Sequence, residues 1–329
     1  MSAFVPVAEL IRGGNLESVH HGVAVAVGPS GDVVYELGDA SFATYPRSAL
    51  KPIQALHLIE SGAFAARGLT SEHVAIACAS HMGEPFHAQL VSGWLDQLAL
   101  GPEHLACGPT YPLDPSSAHA AIRAFEPSSV WHNCSGKHTG FLCVAQHMGW
   151  SVHGYEEFEH PAQIHYREVL AEFFPEPAAL QWGRDDCTLP APAMTMGQMA
   201  HAMSQFAQGA SSRPARADAI VSVHDAMRAF PLLVDGTGGL TPDLVAATGG
   251  DVIVKVGAEG YLAGFVPRLG LGFALKVADG NGRARRVFTV RVLEQIGALR
   301  GLHADALRKL RAHPVHDSRG ERVGELRAV

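Results

Sequence analysis

The chain has 329 residues, of which 47% are hydrophobic and 17% charged, the balance of an ordinary globular protein rather than a disordered or fibrous one. Its 25 basic and 32 acidic residues give a formal charge of -7, and no basic stripe occurs beyond Arg283, Arg285 and Arg286, which argues against a nucleic-acid partner. The amino-terminal segment lacks the apolar run of an export signal, and no stretch is long and apolar enough to span a membrane. We therefore predict a soluble, cytoplasmic protein.

The amino-terminal third predicts a hairpin, a helix and a short strand. Two β-rich runs in residues 22–37 flank a turn-forming Gly-Pro-Ser-Gly-Asp segment, which is typical of a hairpin. From Ser48, apolar residues recur at helical spacing with a proline in the first turn, and Gly62 is expected to end this helix. Residues 73–79 form a short apolar run, which we interpret as a buried strand that ends at Ser80.

The rest of the chain predicts a long helical insertion followed by a return to strands. Residues 89–230 are mainly helical by pattern, with proline-rich loops between the helices. From Asp251, three apolar runs separated by glycines and a proline indicate strands, and a helix follows over residues 285–299. Because both chain ends supply the sheet, we expect an α+β fold, with an antiparallel sheet built from both termini, flanking helices and a helical insertion. We assign residues 1–329 to a single catalytic domain with sheet portions 1–45 and 245–329 and a mainly helical portion 46–244.

The strongest catalytic pattern is Ser-Ala-Leu-Lys at residues 48–51. It places the Ser48 hydroxyl and the Lys51 amine one above the other on the first turn of a helix, where the lysine can touch the serine. The alternative is an N-cap serine followed by a solvated lysine. Two features favour catalysis: Lys255 interrupts the apolar run VIVKVG, where an unpaired ammonium would be costly, and Ser80 offers a second hydroxyl.

A lysine that acts as a base must be neutral, so the site has to disfavour the ammonium form through burial and neighbouring cations. Arg47 and Lys255 are the candidate cations. The alkoxide of Ser48 would then attack a carbonyl carbon, and the N-terminus of the helix would help to hold the developing negative charge.

Five cysteines, an odd number, argue against a disulfide framework and for free thiols or metal ligands. Cys134 and Cys187 stand among polar neighbours rich in glycine or aspartate, in loops where two thiolates could meet a zinc ion. Spacing alone favours His138 as the third zinc ligand. The alternative is a buried free cysteine, which is how we interpret Cys78, Cys107 and Cys143.

Five segments, YPRSALKPIQAL, CASHMGEPFH, HNCSGKHTGFL, DDCTLP and KVGAEGY, together resemble the L-asparaginases of the rhizobial, thermolabile type. The resemblance covers most of the chain and has the segments in the expected order. It implies a fold similar to serine β-lactamases, penicillin-binding proteins and glutaminases. It also implies two serine–lysine pairs in the active site, Ser48 with Lys51 and Ser80 with Lys255.

The resemblance further implies a zinc ion bound by Cys134, Lys137 and Cys187, with water completing the shell. This ligand set replaces the choice of His138 that spacing alone suggests. A lysine ligand must be deprotonated, so such a site should bind Zn²⁺ better at alkaline pH.

The activity that the resemblance implies is hydrolysis of L-asparagine to L-aspartate and ammonia (EC 3.5.1.1), through an acyl-enzyme on Ser48 with Lys51 as the base. By similarity to the lactamase fold, the backbone N–H groups of Ser48 and Ala258 would hold the oxyanion. Opposite charges on Arg47 and Asp185 would suit the α-carboxylate and α-amino groups of an amino acid, the alternative being a surface ion pair or a turn. The residues expected at the substrate are Arg47, Asp185, His138 and Ala258.

Other functions remain open at this point. A glutaminase or a penicillin-recognising serine hydrolase could use the same scaffold, although Val256 stands where the K-[ST]-G motif of penicillin-directed enzymes has a hydroxyl residue. A non-catalytic, zinc-stabilised binding protein is a further alternative, and the interior Lys255 weighs against it. We expect a small-molecule substrate and a homodimer.

Overall fold

The computed structural model describes residues 3–174, 180–209, 211, 213–301 and 304–329. The chain forms two compact units, which we call the sheet unit and the helical unit. The sheet unit comprises Met1–Ala49, Met194–Gln208 and Leu244–Val329. The helical unit comprises Leu50–Ala193 and Gly209–Asp243.

The strands lie mostly near the two ends of the chain. In chain order they are β1 (Val5–Arg12), β2 (Asn15–Val27), β3 (Val33–Leu37), β4 (Ala43–Thr44), β5 (Gln181–Arg184), β6 (Pro190–Thr195), β7 (Ile253–Val256), β8 (Tyr261–Val266), β9 (Leu271–Val277), β10 (Ala312–His316) and β11 (Arg322–Ala328).

The helices fill the middle of the chain. In chain order they are α1 (Lys51–Gln54), α2 (Leu56–Glu60), α3 (Ala63–Ala66), α4 (Ser71–Ala77), α5 (Pro85–Gln97), α6 (Pro115–Ala124), α7 (Ser135–His147), α8 (Pro161–Phe173), α9 (Met196–Gln208), α10 (Pro214–Ala229), α11 (Pro231–Asp235), α12 (Leu240–Thr248), α13 (Gly282–Gln295) and α14 (Ala304–Arg311). Within the described part of the chain, no helix combines the length and the apolar character that crossing a membrane would need.

The sheet unit is built on one antiparallel sheet in the order β10-β11-β1-β2-β9-β8-β7, with β3 also paired to β2. The strands that come first and last in the chain, β1 and β11, are neighbours in this sheet, and Ala8 of β1 lies opposite Ala328 of β11. The predicted α+β architecture, with an antiparallel sheet supplied by both chain ends and a helical insertion between them, is confirmed.

Helices cover both faces of the centre of this sheet. β2 and β9 pair in continuous register from Gly22 to Val27, and Val27 lies opposite Gly272. Successive residues of a strand face opposite sides of the sheet, and positions 22 and 27 are an odd number of residues apart. Gly22 and Gly272 therefore lie on opposite faces. A Cβ on Gly22 would lie 3.1 Å from Phe288 of α13, and one on Gly272 would lie 1.9 Å from the backbone nitrogen of Ser204 in α9. Coverage on both faces explains why β9 and residues 22–27 of β2 are buried at every position rather than at alternate ones.

Most element predictions are confirmed. β2 and β3 form the hairpin predicted over residues 22–37, and Gly28 N–H donates to the Asp32 carbonyl at 2.9 Å across its turn. The three strands predicted after Asp251 are β7, β8 and β9, and the helix that follows is α13, displaced by a few residues from the predicted 285–299.

Two local predictions are wrong. Residues 73–79 belong to helix α4 and its C-terminal turn, not to a strand; the run is buried on every side from Val74 to Ala77, so it shows no periodicity that could separate the two structures. The helix predicted from Ser48 begins instead as a 3-10 turn and is divided into α1 and α2. Pro52, in the first turn of α1, has no N–H to donate to a preceding carbonyl, so no helical hydrogen bond forms at its nitrogen.

The helical unit depends on the close approach of α4 and α7. Gly136, in the first turn of α7, faces the end of α4 so closely that a Cβ would lie 2.2 Å from the Ile76 carbonyl oxygen. Only glycine permits this contact. It brings the segment after α4, which carries Ser80, next to the start of α7, which carries Cys134 and Lys137.

Candidate active site

Lys51 is fully buried at the start of α1 and reaches three groups from other parts of the helical unit. Its Nζ donates to the Ala79 carbonyl, lies 3.1 Å from Ser80 Oγ and lies 3.2 Å from Cys134 Sγ. The sequence assigned Ser80 and Cys134 to separate motifs, a second serine–lysine pair and a zinc site. The structure brings both to the same amine.

Ser80 follows α4 in an extended segment whose backbone is tied to two neighbours. Its N–H donates to the Val234 carbonyl at 2.9 Å, and the N–H of the next residue, His81, donates to Asn133 O at 3.2 Å. The hydroxyl is therefore held by backbone bonds on either side as well as by the contact with Lys51. Ser80 is partly exposed, so a reactant could reach its hydroxyl.

A second contact between an amine and a sulfur occurs at the start of α7, next to Cys134. Lys137, in the first turn of α7, is buried and places Nζ 3.0 Å from Cys187 Sγ. Cys187 lies at the tip of the β5–β6 hairpin. The Asp185 N–H donates to Leu189 O at 2.9 Å, and this bond closes the turn that contains Cys187. The hairpin thus delivers a buried thiol to α7.

The two thiols differ in their electrostatics. A hydrogen bond between them lowers the pKa of Cys134 well below its ordinary value and raises that of Cys187, and the amines of Lys51 and Lys137 lower the pKa of Cys134 further. Burial alone would lower the pKa of Lys137, but the sulfurs of Cys187 and Cys134 outweigh it and raise this pKa. Cys134 is therefore the thiol that ionises first.

These side chains fit a zinc ion as a donor set. Cys134, Lys137 and Cys187 lie within one buried cluster, and Zn²⁺ would accept two thiolates and, once it has displaced the ammonium proton that the sulfurs favour, the Lys137 nitrogen. Among the described residues, no three side chains of the types His, Cys, Asp and Glu converge, so the set depends on the lysine. These three residues are the ligands that the family resemblance implies, and zinc binding stays a prediction.

His138, the ligand that spacing alone suggested, is buried next to this cluster in contact with another partner. Its Nδ1 lies 2.7 Å from the Tyr155 hydroxyl, which also accepts the Ala106 N–H at 2.9 Å. Burial, followed by the charge of Lys137, lowers the pKa of His138 well below its ordinary value. The His138 ring is thus an uncharged neighbour of the cysteine–lysine cluster.

In the sheet unit, Lys255 lies in the middle of β7 with only 1% of its surface exposed, as its place in an apolar run predicted. Its Nζ donates to the Val256 carbonyl at 2.9 Å. The turn that follows packs against the segment that carries Arg47 and Ser48, because a Cβ on Gly257 would lie 2.4 Å from the Pro46 carbonyl oxygen.

Two cations that sequence reasoning missed hold this turn. Lys276 Nζ donates to the Glu259 carbonyl at 2.6 Å, and Arg285 donates to the Gly257 carbonyl at 3.0 Å. Glu259 has a φ of 53°, a left-handed conformation that costs energy for a residue with a side chain. These bonds fix the backbone on both sides of Ala258. The signal was available for Lys276, since it interrupts the apolar run LGFALKVA as Lys255 interrupts its own.

The predicted site residues therefore fall into two groups, each described within its own unit. The helical unit gathers Lys51, Ser80, Cys134, Lys137, His138, Asp185 and Cys187. The sheet unit carries Arg47, Ser48, Lys255 and Ala258 on the 3-10 turn, on β7 and on the turn after β7.

Comparison with known proteins gives a family match over nearly the whole chain: the family model described as L-asparaginase II covers residues 8–328. The search of curated proteins found no match.

Solved structures show weaker similarity. Mglu in its native form aligns with a TM-score of 0.41 and 16% identity, over 87% of this chain and 66% of that one. The D-alanine carboxypeptidase AmpC from Burkholderia cenocepacia aligns with a TM-score of 0.42 and 13% identity, over 84% of this chain and 93% of that one. This chain thus spans about two thirds of the length of Mglu.

Proposed function

The chain belongs to the L-asparaginase II family, and from this premise we propose that it hydrolyses L-asparagine to L-aspartate and ammonia. Within the family, an amidohydrolase needs a base that can take and return a proton at a buried site. The observation that supports the proposal most is the buried Lys51 amine in contact with the Ser80 hydroxyl and the Cys134 thiol. A buried amine in contact with a hydroxyl and a thiol can transfer protons, and a non-catalytic binding protein would not need such a group.

In the proposed reaction Ser48 is the nucleophile and Lys51 the base, as the family resemblance implies. Neutral Lys51 accepts the Ser48 proton while the serine oxygen forms a bond to the side-chain amide carbon of asparagine. The tetrahedral intermediate collapses, the C–N bond breaks, and the nitrogen leaves as ammonia with a proton returned by the enzyme. Water then attacks the ester and releases aspartate.

We assign supporting roles to the second serine–lysine pair and to one backbone amide. Ser80 and Lys255 pass protons to the departing ammonia and orient the water, and the contact of Ser80 with Lys51 supports a proton path between the two pairs. The N–H of Ala258 contributes to oxyanion binding, which the bonds of Lys276 and Arg285 to its neighbours favour by holding the turn.

For substrate binding, we propose that Arg47 pairs with the α-carboxylate and Asp185 with the α-ammonium group of the amino acid. His138, kept neutral by burial, would offer a hydrogen bond without a competing charge. Glutamine remains the alternative substrate, because one methylene changes binding by only about 1 to 3 kcal/mol.

We propose that Cys134, Lys137 and Cys187 bind zinc. When bound, Zn²⁺ would act as a Lewis acid and as a structural link between α7 and the β5–β6 hairpin. The serine already provides the nucleophile, so no step of the proposed reaction depends on the metal.

The function is tested by ammonia release from asparagine and from glutamine, with the wild-type chain and three serine variants. We expect Ser48→Ala to reduce turnover by about 10⁴-fold or more, and Ser80→Ala by about 10²-fold. The control is Ser222→Ala, whose exposed hydroxyl only caps the Asp218 carbonyl. Hydroxylamine added during turnover should form the β-hydroxamate of aspartate by capturing the acyl-enzyme.

Several results would contradict the proposal. Retained activity in Ser48→Ala would remove this residue as nucleophile, and an absence of ammonia from every amide would favour the non-catalytic binding protein. A higher kcat/KM for glutamine would replace the substrate while leaving the chemistry intact.

Zinc binding is tested by elemental analysis of the purified protein. We expect about one zinc ion per chain in the wild type and almost none in Cys134→Ser. Cys143→Ser is the matched control, since Cys143 is also buried on α7 but faces Trp94 and Arg67 rather than the amine cluster. Full zinc content in Cys134→Ser would remove it as a ligand.

A further inference from the structure

His81 follows Ser80 in sequence and is fully buried, yet none of the proposed chemical steps uses it. Its ring makes two directed hydrogen bonds. The Gly83 N–H donates to His81 Nδ1 at 3.1 Å, so Nδ1 is an acceptor and the ring proton lies on Nε2. His81 Nε2 therefore donates to Ser135 Oγ, which lies 2.9 Å away.

The acceptor end of this bond is also fixed. Ser135 Oγ donates its own proton to the Val130 carbonyl at 2.9 Å, so the hydroxyl can only accept from His81. The sequence of donors and acceptors runs in one direction, from Gly83 through His81 and Ser135 to Val130. Each polar group in it has its partner, which is the condition under which a buried polar network makes a structure rigid.

The bond joins the residues that follow Ser80 and Cys134, two of the three residues in contact with Lys51. His81 follows Ser80, and Ser135 follows Cys134. The backbone adds a parallel connection one residue earlier, where the His81 N–H donates to Asn133 O. The segment that carries the Ser80 hydroxyl is thereby fastened to the start of the helix that carries the Cys134 thiol.

A second imidazole supports the ring from the side. His87 stacks on His81 with ring centroids 4.7 Å apart and planes within 15°. Its own nitrogens bind the Glu84 N–H at 3.2 Å and the Leu232 carbonyl at 2.9 Å. His87 thus fills space against His81, while its hydrogen bonds go to residues outside the Lys51 contacts.

We propose that His81 is a positioning residue of the active site: through Ser135 it fixes Ser80 Oγ and Cys134 Sγ together against the Lys51 amine. The role rests on the proposed amidohydrolase function, because it concerns the distance between Lys51 and a hydroxyl that takes part in proton transfer. His81 itself contacts neither substrate nor reacting atoms. Displacing a reacting group by about 1 Å can reduce turnover by about 10²-fold.

Two conservative substitutions separate the bonds of His81. In His81→Asn the side-chain oxygen can still accept the Gly83 N–H in the manner of an Asx turn, but the donor to Ser135 is lost. In His81→Gln the amide nitrogen reaches the former position of Nε2, so the donor to Ser135 is kept. We expect kcat for ammonia release to fall by about 10- to 100-fold in His81→Asn with KM nearly unchanged, and His81→Gln to restore most of the loss.

Ser135→Ala tests the same bond from its other end. If the bond between His81 and Ser135 carries the effect, Ser135→Ala should lower kcat to a similar degree, and the double variant His81→Asn, Ser135→Ala should lose no more than either single variant. The control is His87→Asn, which damages the same buried cluster. It should lower Tm as much as His81→Asn does while keeping kcat within about threefold.

The outcomes separate this inference from the proposed function. A wild-type chain that releases no ammonia from any amide would overturn the function and, with it, the positioning role. An active wild type whose kcat survives in His81→Asn would overturn the positioning role alone. An equal loss of kcat in His87→Asn, or fully multiplicative losses in the double variant, would show a general effect of stability and would also overturn it.

Discussion

Two buried cations in the helical unit, Lys51 and Arg216, have opposite surroundings. Arg216 is 1% exposed and meets carboxylates: it pairs with Glu60 through two nitrogens, one of them at 2.6 Å, and with Glu172 at 3.0 Å. Lys51 instead contacts a carbonyl, a hydroxyl and a thiol. Both side chains are buried, but only Arg216 lies between two carboxylates.

The difference shows how a buried charge can serve stability or chemistry. A guanidinium between two carboxylates is compensated and keeps its protons, so its role is to join helices α2, α8 and α10. An amine surrounded by groups that can themselves ionise or exchange protons is suited to transfer. Burial alone does not distinguish the structural role of Arg216 from the chemical role proposed for Lys51, whereas the atoms that each contacts do.

Between these two side chains, the larger effect on turnover is expected from Lys51→Met, which removes the amine and keeps the apolar stem. Ammonia release should fall by about 10³-fold, the middle of the range that a general base usually contributes. Because Met leaves the Ala79 carbonyl without this donor, turnover is compared per folded chain, well below the Tm of the variant. A Lys51→Met chain that retains full turnover would remove the distinction drawn between the two cations.

Arg216→Met should have the reverse effect. It removes the arginine partner of Glu60 and one of the two arginine partners of Glu172. Breaking such a buried pair costs about 3 kcal/mol, with part of the cost relieved because both carboxylates keep some solvent contact. The free energy of unfolding from urea denaturation should fall by this amount, while kcat of the folded fraction stays near that of the wild type.

Arg213→Ala is the matched control for that measurement. Arg213 binds the same carboxylate of Glu172 at 2.9 Å but is 57% exposed, so its loss should cost at most about 1 kcal/mol. If the two arginine variants lost the same stability, burial would not be the cause.

A smaller effect is expected from pH, through a third buried group near the Arg216 pairs. His57, on α2 with Glu60, is fully buried against Phe141, and burial lowers its pKa from an ordinary value near 6.5 to about 3. The unfolded chain therefore binds a proton that the folded chain excludes between pH 6.5 and 3. Stability should decrease as the pH falls below 6.5, by about 2 kcal/mol from this residue at pH 5.

The measurement is urea unfolding at pH 7 and pH 5 for the wild type and for His57→Asn, in which the side-chain nitrogen can keep the bond to the Gln54 carbonyl. The variant should lose less stability between the two pH values. Identical pH slopes would mean that His57 does not set the acid sensitivity of this unit.

The sequence predicted the fold where its elements had a distinct period or a clear terminator. The hairpin around residues 28–32 and the three strands after Asp251 were found because glycines and prolines separate them. Strands β1, β10 and β11 were missed, since β1 is only partly buried and mixes Glu9 and Arg12 with apolar residues. Pairing with distant strands, rather than local preference, makes these segments extended.

The candidate site was predicted in its residue types more than in its contacts. The interruption of an apolar run correctly indicated that Lys255 is buried. The same pattern holds for Lys276, which interrupts the apolar run LGFALKVA. The contact of Lys51 with Ser80 and Cys134 could not be read from spacing, because it depends on how Gly136 lets α7 approach α4. The bond of His81 to Ser135 depends on the same approach.

The pairing of β1 with β11 has a consequence for biosynthesis. Ala8 and its partner Ala328 lie far apart in the chain, so β1 is synthesised long before β11. Contacts of such high sequence separation raise the contact order of the fold and slow its completion. Until β11 is made, the outer edge of β1 has to be shielded from other nascent chains, so the charges of Glu9 and Arg12 on that strand can act as gatekeepers against aggregation.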